Sequence, residues 1–300
     1  MANGHYSTIA GGYNNTADAY SFVGGGGDNN ASGVGSSISG GYGNTVTDNG
    51  YGSFVGAGSG NTASGQNSFI GAGQYNTASG WYSMVPGGFM TEAGGNYSFA
   101  AGYKAHVRST ALGDPATDNG TFAWADSTYA DFISDGANRF LVRASGGTKI
   151  YSNSTATVGV QLFAGGNSWS PISDRNVKEN VTPIDAREVL DRLAAIPIAE
   201  WNLISQDPAI RHIGPMAQDF YAAFGVGEVE THISSSDADG VALAAIQGLH
   251  ELVSERDCRI EELAQQNDQL AEQNQQLEAR LSALEAKVGR LLGAKEGGTR

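Results

Sequence analysis

The chain has 300 residues, with 17 Lys and Arg against 31 Asp and Glu, which gives a formal net charge of −14 at pH 7. This acidic balance argues against a nucleic-acid-binding surface, and no apolar run is long enough for membrane insertion. The single cysteine excludes an intrachain disulfide framework. Residues 1–5 have neither the basic nor the apolar segment of a secretory signal, so we expect none there.

The first hundred residues contain a repeat of about fifteen residues. A serine recurs at steps of 14 to 16 residues, and two mostly apolar residues and a glycine follow it. A fixed short period of this kind is typical of a stacked solenoid. The repeat serines are Ser7, Ser21, Ser37, Ser53, Ser68, Ser83 and Ser98.

The two residues after each repeat serine predict a short strand with two apolar faces. By this alignment they are Ile38 and Ser39 in the third copy, Phe54 and Val55 in the fourth, and Phe69 and Ile70 in the fifth. Neighbouring residues on a strand point to opposite faces. One column can therefore line the interior of a roll, while the other needs a cover, for which a partner chain is the simplest candidate.

Gly and Asn are expected at the tight corners of the roll because both tolerate positive φ. Asp28 and Asp48 do not recur at a fixed repeat position, which favours solvated turn residues over calcium ligands. We therefore predict no metal site and no cofactor. The predicted turn asparagines are Asn15, Asn29, Asn44, Asn61 and Asn76.

The succession of Ser, two apolar residues, Gly and then Asn-x-Ala-Ser-Gly resembles the head repeats of trimeric autotransporter adhesins, the YadA-like head, over residues 4–106. The resemblance implies a mainly β head, a trimeric left-handed parallel β-roll. The chain departs from the family in carrying Phe or Met where the adhesins often have smaller aliphatic residues. We assign residues 1–106 to this head.

Residues 107–170 lose the repeat and are predicted to form a β-rich neck. Apolar or alternating segments at 121–125, 139–143 and 158–162 indicate short strands between turns. Asp114-Pro115 and Ser170-Pro171 mark its predicted boundaries.

Residues 171–300 are predicted to be largely helical. Apolar spacing indicates a helix over 185–195, and residues 210–220 indicate a strand, a turn and a short helix. From Ile246 to about residue 292 a heptad pattern predicts a coiled coil. Taken alone, the seam favours a coiled coil of two helices, because β-branched residues are frequent in one of its columns and Leu in the other. The head repeats instead indicate three chains.

A polar run at residues 173–180 separates the β-rich part from the helical part. A Ser hydroxyl such as that of Ser173 becomes a nucleophile when a base takes its proton, and a neutral Lys amine such as that of Lys178 can act as that base. The alternative is a solvated helix start with Ser173 as its N-cap and i,i+4 pairs behind it.

This run, together with residues 212–219, resembles the C-terminal intramolecular chaperone peptidases of phage tail spikes and fibres, of which the endosialidase type is the best known. That family trimerises, guides folding of the preceding fibre and releases itself by autoproteolysis. The resemblance places the catalytic roles on Ser173 and Lys178 and the cut at the Ser173–Asp174 bond. An acyl shift onto the Ser hydroxyl would instead break the Ile172–Ser173 bond, and both remain open. Arg175 and Glu179 are candidates to support the reaction; the alternative is that Arg175 only anchors Glu179 or Asp174.

These features predict a homotrimeric fibre protein of a virion tail or phage-like injection particle, assembled in the cytoplasm, that binds a cell-surface receptor or glycan. A trimeric coiled coil would hold the β-chains together while they fold, and cleavage would remove it afterwards. The alternative is a bacterial surface adhesin with an uncleaved stalk, which the missing signal disfavours. An enzyme acting on an external glycan is disfavoured because the head has no recurring carboxylate pair.

Overall fold

The computed structural model of the protein describes residues 1–109 and 117–296, with side chains up to residue 291. The predicted boundary at Asp114-Pro115 lies outside the described residues. The chain divides into two compact units, Met1–Ile172 and Ser173–Arg300.

The first unit is a β-solenoid in which each coil contributes two short strands. Its first fifteen strands are β1 Thr8–Ile9, β2 Thr16–Ala17, β3 Phe22–Val23, β4 Asn30–Ala31, β5 Ser37–Ile38, β6 Thr45–Val46, β7 Phe54–Val55, β8 Thr62–Ala63, β9 Phe69–Ile70, β10 Thr77–Ala78, β11 Met84–Val85, β12 Gly88–Phe89, β13 Glu92–Ala93, β14 Phe99–Tyr103 and β15 Ala105–Val107. Three more are β16 Phe122–Ala125, β17 Phe132–Ile133 and β18 Phe140–Arg143.

These strands form two parallel sheets. The Phe sheet has the order β1-β3-β5-β7-β9-β11-β14-β16-β18, with β12 beside β14, and the Thr sheet has the order β17-β15-β13-β10-β8-β6-β4-β2. The ladder therefore continues past residue 106 as far as Arg143. Beyond it lies an antiparallel sheet of β19 Gly147–Tyr151, β20 Gly159–Phe163 and β21 Ser170–Pro171.

The core of the solenoid is a stack of small and branched apolar side chains between the two sheets. The Phe sheet contributes residues such as Val55 and Ile70, the Thr sheet contributes residues such as Ala63 and Ala78, and all four are fully buried. The opposite face of the Phe sheet is apolar but open: Phe69 is 36 % exposed and its ring stacks on that of Phe54 at 5.4 Å. The expectation of two apolar faces, with only one buried within the chain, agrees with this arrangement.

The third coil has a register one residue earlier than the sequence pattern suggested. Ser37 pairs with Phe22 and Ile38 with Val23, so Ile38 points inward and is fully buried. The repeat serine of this coil is Ser36, whose Oγ lies 3.3 Å from that of Ser21. The alignment expected from the sequence would place the hydroxyl of Ser39 in the apolar core, where burial without a partner is costly.

The repeat asparagines are buried inside the solenoid and are not the turn residues that the sequence suggested. The Oδ1 of Asn44 accepts hydrogen bonds from the backbone N–H (3.1 Å) and the Nδ2 (3.0 Å) of Asn61 one coil further on. The Nδ2 of Asn44 also donates to the carbonyl oxygens of Gly40 and Gly58, each at 3.0 Å. This asparagine ladder, formed by Asn15, Asn29, Asn44, Asn61 and Asn76, pairs polar backbone groups that the coil corners would otherwise leave unsatisfied.

A buried ion pair lies among the later coils. The carboxylate of Asp118 is fully buried and accepts from Nε of Arg108 at 2.8 Å and from Nη2 of Arg108 at 3.1 Å. Ser134 donates a further hydrogen bond to it. Burial alone would raise the pKa of Asp118, but the hydrogen bonds from Arg108 and Ser134 outweigh it and hold the pKa below its ordinary value.

Replacing Asp118 with Asn is expected to destabilise the first unit by about 3–5 kcal/mol near neutral pH, because it breaks the buried ion pair with Arg108 and weakens the hydrogen bond from Ser134. A carboxyl with a lowered pKa in the folded state stabilises above its unfolded pKa, and this contribution is lost as the pH falls through the folded pKa. The Asp118→Asn variant should therefore lose less stability than the parent chain as the pH falls below about 4, measured by thermal unfolding across this range.

The matched control is Asp135→Asn, which removes one carboxylate from an exposed i,i+4 pair with Arg139. Exposed pairs contribute little, so this change should be nearly neutral. Equal effects of the two substitutions would contradict the structural role of the Asp118 ion pair.

Over its described residues, 173–296, the second unit contains three α-helices and a two-stranded sheet. Its elements are α1 Ala186–Ala195, β22 Ala199–Trp201, β23 His212–Gly214, α2 Ala217–Phe224 and α3 Ser235–Glu296. The predicted helix over 185–195 and the strand, turn and helix over 210–220 are therefore present. No helix within the described residues combines the length and apolarity that crossing a membrane requires.

Local sequence explains how these helices begin and pack. The carboxylate of Asp185 caps α1 by accepting from two backbone N–H groups of its first turn. Gly225 ends α2 in the left-handed conformation, with φ 63°. At Gly248 of α3 an added Cβ would lie 2.2 Å from the carbonyl oxygen of Ala186, so glycine there allows α1 to approach α3 closely.

Candidate functional site

The second unit begins with a tight polar turn. A single 3-10 turn spans Arg175–Val177, and Asp174 caps it by accepting from the backbone N–H of Asn176 at 2.9 Å. Lys178 follows in an extended conformation, with φ −115° and ψ 143°. The turn reverses the chain, so the side chain of Lys178 can reach back to the residue that precedes the cap.

This turn brings the two predicted catalytic side chains together. Nζ of Lys178 donates a hydrogen bond to Oγ of Ser173 at 2.7 Å. The distance lies within the range over which a base can take a proton from a nucleophilic hydroxyl. The pair therefore has the geometry of a nucleophile and its base.

The alternative interpretation of this segment as an ordinary helix start does not agree with the structure. The capping side chain is Asp174 rather than Ser173, and the turn ends at Lys178 before any i,i+4 pair can form. The hydroxyl of Ser173 is instead the acceptor of the Lys178 hydrogen bond.

The side chains of Ser173 and Lys178 line a surface cavity of about 440 Å³ together with Arg175 and Val181. All four residues are exposed in the single chain. Within the described residues no ion pair joins Arg175 to Glu179 or to Asp174, so the structure does not bring the predicted anchoring partners together. Arg175 is the charged neighbour of the pair, and Glu179 does not line the cavity.

Val181 is the cavity residue that sequence reasoning missed. An isolated apolar residue in a polar run carries no signal of its own, and it comes near the pair only because the chain turns at Arg175–Val177.

The second motif, residues 212–219, forms part of the framework of the unit. Nε2 of His212 lies 2.9 Å from Oε1 of Gln206, and its ring centroid lies 4.7 Å from that of Trp201 on the paired strand. Both contacts indicate a packing role for this histidine. No cluster of His, Cys, Asp and Glu suited to a metal ion occurs among the residues that the structure describes.

Comparison with known proteins gives one finding for this region. No curated protein matches the chain. The family model described as the chaperone of endosialidase, Peptidase_S74, matches residues 173–226, a range that begins at Ser173 and ends just after α2. The helical unit thus carries a region similar to the chaperone of endosialidase, which supports a chaperone role of the kind found with tail fibres.

Proposed function

We propose that the protein is a homotrimeric receptor-binding fibre whose C-terminal unit chaperones assembly of the β-solenoid and then releases itself by cleavage at Ser173. Ser173 is the nucleophile and Lys178 the base that activates it. The fibre belongs to a virion tail or phage-like injection particle, assembles in the cytoplasm and binds a receptor or glycan on a cell surface through the YadA-like head. We assign residues 1–106 to the head, 107–170 to the neck and 171–300 to the chaperone domain, of which the part after the cut beside Ser173 is released.

The observation that carries this proposal is the 2.7 Å hydrogen bond between Lys178 and Ser173, the residue at which the helical unit begins. A peptidase acting on external substrates has no need to be sited there, whereas a cut at this point separates one unit from the other. The match to the chaperone of endosialidase, which begins at the same serine, supports this interpretation.

The exposed Phe column supports assembly with further copies of the chain. Phe22 is 41 % exposed and Met84 is 38 % exposed on the outer face of the Phe sheet, whose inner face is the core. Full burial of an exposed Phe or Met side chain is worth roughly 1.5–3 kcal/mol, so covering the part that is still exposed here would contribute roughly 1 kcal/mol for each residue. A left-handed trimeric roll, as in the adhesin heads, would cover this face with the equivalent face of its neighbours.

The repeats also explain why a chaperone is useful. Within one chain the ladder joins residues only 14 to 17 apart, as between Asn29 and Asn44 or between Asn44 and Asn61, so each roll closes through local contacts. Alignment between chains is harder, because the outward residues of successive coils are alike, as with Phe54 and Phe69, so a slip by one whole coil would bring similar surfaces together. A coiled coil that joins the chains at one end would set the register before the rolls pack together.

Cleavage is tested by denaturing intact-mass analysis of the expressed chain. We expect two products in place of one full-length species, with the break beside Ser173. A smaller product of residues 174–300 would assign the cut to the Ser173–Asp174 bond, and one of residues 173–300 would assign it to the Ile172–Ser173 bond. A single full-length mass after prolonged incubation of the folded protein would contradict the proposal.

Assembly is tested by light scattering on the purified protein. We expect the mass of three chains, because both the exposed Phe face and the exposed heptad seam need partners. A stable monomer over a wide range of concentrations would refute the fibre.

A further inference from the structure

The second half of α3 presents an unpartnered apolar seam. Leu277, Leu281 and Leu284 follow the heptad spacing, and each is 58–59 % exposed in the single chain. A helix with such a seam is stable when other helices cover it. The charged residues beside the seam then decide which helices these are and in what direction they run.

Arg280 and Glu285 flank the seam on opposite sides. With Leu281 and Leu284 as its two seam columns, Arg280 takes the g position and Glu285 the e position of the following heptad. In parallel helices aligned in register, a g residue faces the e residue of the neighbour five positions later. Among the six such pairs that residues 245–285 can form, 280 with 285 is the one that joins opposite charges.

Neither residue has a charged partner on its own helix. Side chains three or four residues apart are neighbours on a helix, whereas those five apart are not. The residues at these spacings from Arg280 are Leu277, Ala283, Leu284 and Gln276, and those from Glu285 are likewise uncharged: Leu281, Ser282, Val288 and Gly289. Arg259, by contrast, pairs with Glu262 within the same helix at 2.8 Å.

We propose that Arg280 binds Glu285 of a neighbouring copy and so fixes the parallel, in-register orientation of the coiled coil. This inference rests on the proposed three-chain assembly, in which each helix offers Arg280 to one neighbour and Glu285 to the other. The methylene stem of Arg280 covers the apolar seam while its guanidinium forms a charge-assisted pair with the carboxylate. The interaction surface is therefore the seam with these two flanks, and its partner is the same surface of another copy.

The test uses charge reversal in the full chain carrying Ser173→Ala, so that the coiled coil stays attached. Arg280→Glu and Glu285→Arg each place like charges opposite one another at every interface. We expect each variant to lower the melting temperature of the helical circular-dichroism signal by roughly 5 °C or more at low salt. The double variant Arg280→Glu/Glu285→Arg should recover most of this loss.

Recovery identifies a contact between chains, because the two positions are not neighbours within one helix. The control is Glu272→Arg, which makes the same charge change as Glu285→Arg at an outward heptad position and should leave the melting temperature nearly unchanged. The Arg280–Glu285 pair would be overturned if the single reversals left the melting temperature unchanged, or if the double variant melted as low as either single variant. This holds even if light scattering reports three chains. A monomeric or dimeric parent would overturn the proposed assembly itself.

Discussion

Replacing Ser173 with Ala is expected to leave the chain as a single full-length species under conditions that cleave the parent chain completely. Oγ of Ser173 would form an ester bond to the acyl carbon while the peptide C–N bond breaks, and the proton that Lys178 takes from the hydroxyl would pass to the leaving amine. Water would then hydrolyse the ester, so removal of the hydroxyl eliminates the reaction. Replacing Lys178 with Ala should slow cleavage by at least roughly 100-fold, which is the lower range for loss of a general base. Gel electrophoresis and intact mass over a time course would measure both effects.

Lys178→Arg separates proton transfer from simple charge placement. An arginine can still donate a hydrogen bond to Ser173, but its guanidinium stays protonated and cannot take the serine proton. We therefore expect Lys178→Arg to be as slow as Lys178→Ala. Cleavage at the parental rate in this variant would show that residue 178 acts only through its positive charge or its hydrogen bond.

Two exposed residues provide matched controls. Ser205→Ala removes a hydroxyl from the same unit, and Lys149→Ala removes an exposed lysine from β19. Both variants should cleave at the parental rate. The circular-dichroism spectrum of each Ser173 or Lys178 variant should also match that of the uncleaved parent. The 2.7 Å hydrogen bond between these two side chains is exposed and holds no core element in place.

A lysine acts as a base only in its neutral amine form, and burial favours that form over the charged one. In the single chain, however, Lys178 is exposed. Neighbouring chains that cover the cavity of Ser173, Arg175, Lys178 and Val181 would supply this burial. The rate of cleavage should then depend on assembly and fall when the chains are diluted below the concentration at which they associate. Such a dependence would make release follow trimer formation.

The sequence predicts those parts of the protein that depend on local spacing. The helix α1, the strand and helix over 210–220 and the long helix α3 follow from apolar periodicity within one segment. The pairing of Ser173 with Lys178 was expected from a resemblance, but its geometry depends on the Asp174 cap and the 3-10 turn behind it. Arg175 and Glu179 could not be placed in the same way, because whether two charged side chains meet depends on how the whole turn bends.

Contacts between coils were harder to predict. The adjacent serines Ser36 and Ser37 allow two alignments of the third coil. The next coil is longer, with 17 residues between Asn44 and Asn61, so the spacing of the repeat does not distinguish the two alignments. The sequence pattern predicts the asparagines at corners because Asn tolerates positive φ. Their burial becomes evident only when identical side chains stack one coil above the next.

The asparagine ladder leads to the second large prediction. Replacing Asn61 with Ala removes the Oδ1 that accepts from the backbone N–H of Asn76 at 3.0 Å. It also removes the Nδ2 that donates to the carbonyl oxygens of Ala57 at 3.1 Å and Gly73 at 2.9 Å. Each polar group left unsatisfied by the change costs about 1–3 kcal/mol where it is buried, so we expect a loss of about 3–5 kcal/mol per chain.

For a unit of this size such a loss corresponds to a fall of roughly 6–20 °C in melting temperature, measured by the β-sheet circular-dichroism signal in the Ser173→Ala background. The control is Asn49→Ala, an exposed asparagine in the same stretch of coils, which should shift the melting temperature by no more than a degree or two. Equal shifts for the two variants would mean that the ladder adds nothing beyond ordinary corner asparagines. A larger shift for Asn61→Ala would show that the interior asparagines stabilise the stacking of one coil on the next, on which a fibre of repeated coils depends.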